Sequence, residues 1–384
     1  MLNIEIKGVQ FSNKGAELML IAVLEQLEKE YGEFDITLPP GRLSPYKSRA
    51  RLGAWQKLSF RRGALDLTGV FARFPSSIRN LLKRYGIVTE ADIDVVLNAS
   101  GFAYGDQWGL DEIRNTTKEV LRFKRRGKPY IFLPQALGSF ERQEIKEQAT
   151  KMLSQASLVC ARDDISYAAS QALTIDGNLQ KFPDFTCLVG ENTAQRFGSN
   201  TLCIIPNNKV VSAFNHQEAH SERGQYIKFY QAVASFFIQQ GWDIKILNHE
   251  GKEDLQLCHE IASDLERCEI IDGLDALAIK GFIGGCQAVV SSRFHGCVSA
   301  LSQGIPCLAT SWSHKYEMLY QEYGLSGNVI DFKAHDTKIT VVLTDFLASL
   351  ETQQKSTLKK ADEVKKKTQL MWQQVFKVIN DMRV

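Results

Sequence analysis

The chain is short of the features that announce a metal, a dinucleotide or a membrane. None of its 8 cysteines forms a Cys-x-x-Cys pair, and no His pair accompanies them, which speaks against a structural zinc site. Cys160, Cys203 and Cys307 sit in apolar runs, where a reduced thiol packs as a small hydrophobe. The cysteine pattern therefore predicts a cytoplasmic protein. No Gly-x-Gly-x-x-Gly opens a helix, so dinucleotide binding lacks its main signature. The longest apolar run, around "LMLIAVLEQL", is too short to span a bilayer. "MLNIEIKGVQ" places Glu5 and Lys7 where a signal peptide would be apolar, and it reads as a strand. A net charge of +2 gives no bulk attraction to nucleic acid.

What is present is alternation. Short apolar strands such as "NIEIKGV", "DIDVVLN", "YIFLPQA" and "LVCARD" alternate with amphipathic helical stretches. The series restarts at "TLCIIPN" and continues through "WDIKILN", "CEIID" and "AVVSS". This pattern predicts an α/β protein of parallel sheets covered on both faces. At 384 residues two doubly wound, Rossmann-like domains are expected. We place them at 1–190 and 200–350, joined near residue 195 through polar "GENTAQRFGSN". Val364, Met371, Val375, Val378 and Met382 recur at helical spacing, so 351–384 is expected to be an amphipathic helix.

In parallel sheets, ligands bind beyond the carboxyl ends of strands. Asn13 and Gly15 follow the first strand, where a helix cap is the plain alternative. Gly101, Gln135, and Arg162 with Asp163 follow later strands; Asp163 can equally be an N-cap. His249 follows "WDIKILN" and can be a polar loop residue. "SSRFHG" is the stronger block. Arg293 offers a guanidinium fork, His295 titrates near neutrality, and a helix N-terminus stands behind both. Lys315 follows the next strand. Together they suggest an anion site.

These segments, in this order, resemble the polysaccharide pyruvyl transferase family. The matching pieces are Asn13-Lys14-Gly15, Pro134-Gln135-Ala136-Leu137-Gly138, Ala161-Arg162-Asp163, Arg293-Phe294-His295, Gly304-Ile305-Pro306 and Lys315, spread over about residues 4 to 325. Two positions depart from the family pattern: Ala16 precedes the acidic Glu17, and Gly101 stands alone where a double glycine is usual. The resemblance implies a fold similar to the two-domain glycosyltransferase (GT-B) fold, with two Rossmann-like domains facing across a cleft. The first would take the acceptor and the second the donor. It implies phosphoenolpyruvate as donor substrate, a pyruvate ketal on a sugar of a cell-surface polysaccharide or its precursor as product, and no metal or cofactor. Arg162, Arg293 and His295, with Lys315, would bind the donor's anions. Asn13, Gly15, Gly101 and Gln135 would line the substrate sites. His295 is candidate ligand or proton donor, and Asp163, Glu17 and His249 are candidate bases. Arg293→Ala is then expected to abolish turnover with little effect on the fold. The alternatives are a sugar-nucleotide glycosyltransferase of the same fold and a non-catalytic glycan- or membrane-binding protein.

One segment stands apart. From Arg42 to Arg84 eleven residues are Lys or Arg and only Asp66 is acidic. Trp55, Phe60, Phe71 and Phe74 are interleaved. As a basic insertion over 42–86 it suits either a solvated surface or an anionic membrane or lipid-linked saccharide, with a peripheral position at the inner face of the cell membrane. Nucleic acid is not expected.

Overall fold

The computed structural model describes residues 1–62, 65–173, 177–190, 197–198, 200–211, 219–310 and 313–382. The expected join near residue 195 lies outside them. The chain forms two compact units. Unit 1 holds Met1–Ser12, Met19–Phe185 and Lys367–Val384; unit 2 holds Asn13–Leu18 and Thr186–Lys366.

In unit 1 the strands are β1 (Asn3–Lys7), β2 (Asp35–Leu38), β3 (Trp55–Lys57), the hairpin β4 (Arg61–Arg62) and β5 (Leu65–Asp66), β6 (Ile87–Val88), β7 (Val95–Asn98), β8 (Phe102–Tyr104), β9 (Tyr130–Leu137), β10 (Leu158–Ala161) and β11 (Leu179–Lys181). Among the described residues they make a nine-stranded sheet ordered β11-β10-β9-β7-β1-β2-β3-β6, with β8 beside β9 and the hairpin apart. The pairings along it are parallel. The helices are α1 (Lys14–Tyr31), α2 (Tyr46–Arg51), α3 (Thr68–Phe71), α4 (Ser76–Lys83), α5 (Leu110–Arg125), α6 (Gln143–Ser154) and α7 (Asp164–Gln171). The order reverses between β1 and β7. There a Cβ on Gly8 would fall 2.3 Å from the Ser100 Cα, so only glycine lets the two strand ends close up.

β1 alternates Ile with Glu and Lys, which suggests one wet face. Instead all five residues are buried. Glu5 and Lys7 enter an ionic layer that also holds Glu119 of α5. Lys57 Nζ donates to both Glu5 oxygens at 2.9 and 2.7 Å and pairs with Glu119, as does Lys7. Tyr130 donates to Glu119 at 3.3 Å. Arg122 forks Glu90 at 2.8 and 2.7 Å. Burial alone would lower the Lys57 pKa, but the Glu119 and Glu5 carboxylates overcome it and raise it. Burial would raise Glu119, yet Lys57, Lys7 and Arg61 hold it well below the usual carboxylate range.

The basic stretch is therefore built into unit 1. Lys57 lies in the ionic layer, Arg61 pairs with Asp66, and Arg79 and Lys83 both reach Asp92, at 2.8 and 3.1 Å. Arg49 is buried and donates to Gln56 Oε1 at 2.7 Å. A composition that reads as a basic surface is in part internal charge pairing, while Arg42, Lys47, Arg51, Arg73 and Arg84 stay exposed.

Unit 2 holds β12 (Thr201–Ile205), β13 (Asp243–Leu247), β14 (Cys268–Ile271), β15 (Ala288–Ser291), β16 (Cys307–Thr310) and β17 (Val329–Ile330). Among the described residues these make a six-stranded sheet ordered β14-β13-β12-β15-β16-β17, with parallel neighbours. This is the doubly wound order whose direction reverses between the first and fourth strands. Its helices are α8 (Ala219–Gln239), α9 (Gly251–Ala262), α10 (Ala276–Gly285), α11 (Phe294–Leu301), α12 (His314–Glu322) and α13 (Asp336–Asp381). Strand residues alternate between two cores. Leu202, Ile204, Ile244 and Ile246 pack with α8 and α9; Cys203, Ile205, Val289 and Cys307 pack with α10 and α11. The eight cysteines are free thiols. The helix expected over 351–384 is the later part of α13, and from Lys367 its residues belong to unit 1. No described helix is long and apolar enough to cross a membrane.

Glu119→Gln keeps the side-chain shape but leaves two buried ammonium groups short of a counter-charge. It should destabilise the protein by about 3–5 kcal/mol in urea unfolding. A loss below about 1 kcal/mol would show that the ionic layer is replaceable.

Candidate active site

The sequence candidates fall into two groups. Asn13, Gly15, Glu17, His249, Arg293, His295 and Lys315 belong to unit 2; Gly101, Gln135, Arg162 and Asp163 belong to unit 1.

The unit 2 group gathers at the carboxyl ends of β12, β13 and β15, where the strand order reverses. Ser292 fixes the end of β15. Its hydroxyl receives Tyr226 and lies against Tyr230, each at 2.6 Å. Its carbonyl receives Tyr316 at 2.7 Å and Asn207 Nδ2 at 3.1 Å. Arg293 follows and is buried. Its two terminal nitrogens are taken by Glu250 and Asp254, and its Nε has no hydrogen-bond partner. The open fork expected of Arg293 is thus engaged by two carboxylates. Lys209 joins Glu250 at 3.1 Å, and the Asn208 amide donates to Asp254 at 3.0 Å. Burial raises Asp254 despite Arg293. Burial also works to raise Glu250, but Arg293 and Lys209 hold it below its usual value.

His295 lies in the first turn of α11, whose N-terminus has no side-chain cap. A Cβ on Gly15 would fall 2.3 Å from His295 Nδ1 and 2.8 Å from its Cγ. The Asn-x-Gly turn is therefore the bare backbone against which the imidazole rests. Asn13 caps α1, accepting the Ala16 amide at 3.1 Å, so the plain reading of that residue is also present. Glu17 pairs with Lys14 at 2.7 Å. Gly296 tightens the same turn, since a Cβ there would meet Ser291 Oγ at 2.7 Å. Lys315 Nζ stands 5.4 Å from the Phe294 ring centre, beside His295 in sequence.

His249 is the most perturbed group here. It is 5% exposed, and its Nδ1 has no hydrogen-bond partner. Burial, then Arg293, His295, Lys14 and Lys209, push its pKa well below the ordinary histidine value. It is a neutral imidazole at neutral pH, within electrostatic reach of Arg293, Lys14 and Lys209, each of which is also paired with a carboxylate. A multiply charged anion placed there would meet donors and positive charge from several elements.

In unit 1 the candidates lie at the ends of β7, β9 and β10. The Ala136 amide donates to the Gly101 carbonyl at 2.8 Å, and the Arg162 amide to the Gln135 carbonyl at 3.1 Å. Gln135 donates to the Asn98 carbonyl at 3.3 Å, but its Oε1 is buried without a partner. Asp163 caps α7 through Oδ1, receiving Ser166 N at 2.7 Å, while Oδ2 is buried without one. Arg162 pairs with Asp184 at 3.4 Å. Two unpartnered acceptors, one in β9 and one just past the end of the adjoining β10, suit a ligand rich in hydroxyl donors.

A family model described as polysaccharide pyruvyl transferase matches residues 13–314. The chain belongs to this family. The resemblance drawn from its motifs is borne out, and the matched region contains every candidate above except Lys315, one residue beyond it. No curated protein matches the chain. Among solved structures, the UDP-GlcNAc 2-epimerase of Neisseria meningitidis, bound to UDP-GlcNAc, is similar with a TM-score of 0.61 at 11% identity, over 98% of this chain and 100% of that one. The Methanocaldococcus jannaschii UDP-GlcNAc 2-epimerase gives 0.55 at 11%, over 89% and 91%. The Rickettsia bellii UDP-N-acetylglucosamine 2-epimerase gives 0.54 at 11%, over 100% and 98%. At such identities the likeness is one of fold, and the fold is the two-sheet GT-B type. This pyruvyl transferase family member thus carries its Arg-x-His block at the switch point of a Rossmann-like sheet.

The unit 2 residues that sequence reasoning missed are Asp254, Tyr226, Tyr230 and Ser292. Glu250 was visible only as the neighbour of His249. Each acts by holding another residue, and such a role leaves no local pattern.

Gly15→Ala should retain the fold, because alanine suits a helix's first turn, but its methyl would displace His295. Turnover should fall by about 10²-fold, the scale of a 1 Å misplacement, with an unchanged melting temperature. Wild-type activity in the variant would detach His295 from the chemistry. The structure also changes the expectation for Arg293→Ala. Losing this cation strands the buried Asp254 and the half-buried Glu250, so stability should drop by about 3 kcal/mol along with activity. Chemical denaturation reads this directly, and an unaltered midpoint would contradict it.

Proposed function

We propose that the protein transfers the pyruvyl group of phosphoenolpyruvate to two hydroxyls of one sugar in a cell-surface polysaccharide or its precursor, releasing phosphate. The observation that carries this is the neutral, buried His249 ringed by Arg293, His295, Lys14 and Lys209 at the reversal of a doubly wound sheet. The donor has a phosphate and a carboxylate and needs cations in a fixed arrangement. The uncapped N-terminus of α11 adds amides with a positive dipole.

The proposed steps balance as follows. A proton from His295 adds to C3 of the enol, leaving C2 electron-poor. One sugar hydroxyl attacks C2 and gives its proton to a base. Phosphate leaves with the C2–O electron pair, and the second hydroxyl closes the ketal and gives up its proton in turn. Arg293 positions the site through Glu250 and Asp254, with its Nε edge turned to neither. Asp163 and Gln135 carry unpartnered acceptor atoms, the groups a saccharide's hydroxyls require; Asp163 is the base we favour over Glu17, which is already paired with Lys14. Phosphoenolpyruvate is a substrate in this scheme, and no cofactor takes part. Lys315 is a further donor ligand in unit 2, Arg162 an anion ligand in unit 1, and Asn13 and Gly101 are substrate-site residues of their own units.

Phosphoenolpyruvate should raise the melting temperature, while UDP-GlcNAc should leave it unchanged. The reverse result would replace this reading with the sugar-nucleotide one. His295→Gln keeps hydrogen bonding but cannot carry a proton in the same range. Phosphate release at saturating donor should fall by about 10²-fold or more. A raised KM with an intact kcat would leave His295 as a ligand only.

A further inference from the structure

Helix α4 is built inside out. Its charged side faces the protein, with Arg79 and Lys83, four residues apart, both pairing with Asp92. None of its residues is buried. Ile78 and Leu81 are 43% and 52% exposed, and Tyr85, just past the helix, is 75% exposed. Spaced three and four residues apart, these three form one stripe on the solvent side. Isolated exposed apolar residues are ordinary, but concentration is not. Of thirteen large exposed apolar side chains among the described residues, eight lie between Leu43 and Tyr85. The same stretch exposes Arg42, Lys47, Arg51, Arg73 and Arg84. Its single acid, Asp66, is turned inward to Arg61 and Arg122.

We propose that this face seats on an anionic lipid bilayer, with Ile78, Leu81 and Tyr85 entering the headgroup boundary and the exposed arginines and lysines meeting lipid phosphates. An apolar stripe in a stretch that exposes five cations and turns its one acid inward is complementary to that surface. A protein partner's apolar patch would not need the cations. The inference deepens the proposed function, supplying a place for a membrane-borne acceptor, but its test uses neither donor nor acceptor.

The test is co-sedimentation of the full chain with vesicles of equal parts phosphatidylglycerol and phosphatidylcholine, against pure phosphatidylcholine. Wild type should bind the anionic vesicles, and less so as salt rises. Replacing Ile78, Leu81 and Tyr85 together by Ser should reduce partitioning by about tenfold or more without moving the melting temperature. Arg73→Ser with Arg84→Ser is the second variant, and it should weaken binding at low salt only. Wild type ignoring both vesicles, binding both equally, or a Ser variant that sediments like wild type overturns the proposal. So does a stripe variant that alters only self-association, read by light scattering, since the occupant is then a second copy. Failure of phosphoenolpyruvate turnover with vesicle binding intact would strike the catalytic reading and leave this one standing.

Discussion

A buried guanidinium is the element around which unit 2 is arranged. Arg293 leaves the end of β15 and draws in Glu250 from the end of β13 and Asp254 from α9. Asp254 holds the loop after β12 through Asn208. Three strand ends are therefore fixed by one cation. The cost of desolvating it is met by two carboxylates, and removing either side would leave the other uncompensated in the interior. His249 and His295 inherit their places from this arrangement. His249 is neutral because burial, and after it the neighbouring cations, hold its pKa down, and His295 is placed because the first turn of α11 begins immediately after Arg293. The anion-favouring character of the site thus belongs to the group of strand ends rather than to a single fork.

Much of the fold could be read in advance because parallel strands must be apolar on both faces. "TLCII", "AVVS" and "VVLN" announce themselves, and their order gave two doubly wound sheets. The Arg-x-His block was also legible, since its residue types and its position after a strand point to one chemistry. What could not be read is contact at a distance. Nothing about Asp254 in "GKEDLQL" distinguishes it from Glu253, its exposed neighbour, yet it is the residue that meets Arg293. Tyr226 and Tyr230 look like core aromatics and are also hydrogen-bonded to Ser292. Gly15 read as a turn glycine; its reason is the imidazole lying against it.

Net composition misled in one place. The stretch from Arg42 to Arg84 is strongly basic in sequence, and the natural image is a charged surface. The acids that neutralise it lie elsewhere in the chain: Glu5 on β1, Glu119 on α5, Glu90 and Asp92 before β7. Local charge counting misses such pairings because the partners are up to 62 residues away, as for Lys57 and Glu119. With those cations paired, the apolar residues of α4 remain outside together with Arg42, Lys47, Arg51, Arg73 and Arg84. A helix that turns its two charges toward its own protein leaves its apolar side chains on the outer face, among serine and asparagine.

The discontinuity of unit 1 has a bearing on how the protein is made. Trp372 is 2% exposed, stacks on Phe376 and meets the Phe185 ring edge-on at 6.2 Å, all within unit 1. Tyr31 donates to Asn380 at 3.2 Å in the same unit. Its sheet ends at β11, but the helical residues from Lys367 onward that complete it follow the whole of unit 2 in the chain. Unit 1 can assemble its strands early and cannot close its apolar surface until all of unit 2 has been made. Throughout that interval the seat of Trp372 is bare, so a nascent chain of this protein is a natural client for holding chaperones, and a shortened one would stay so.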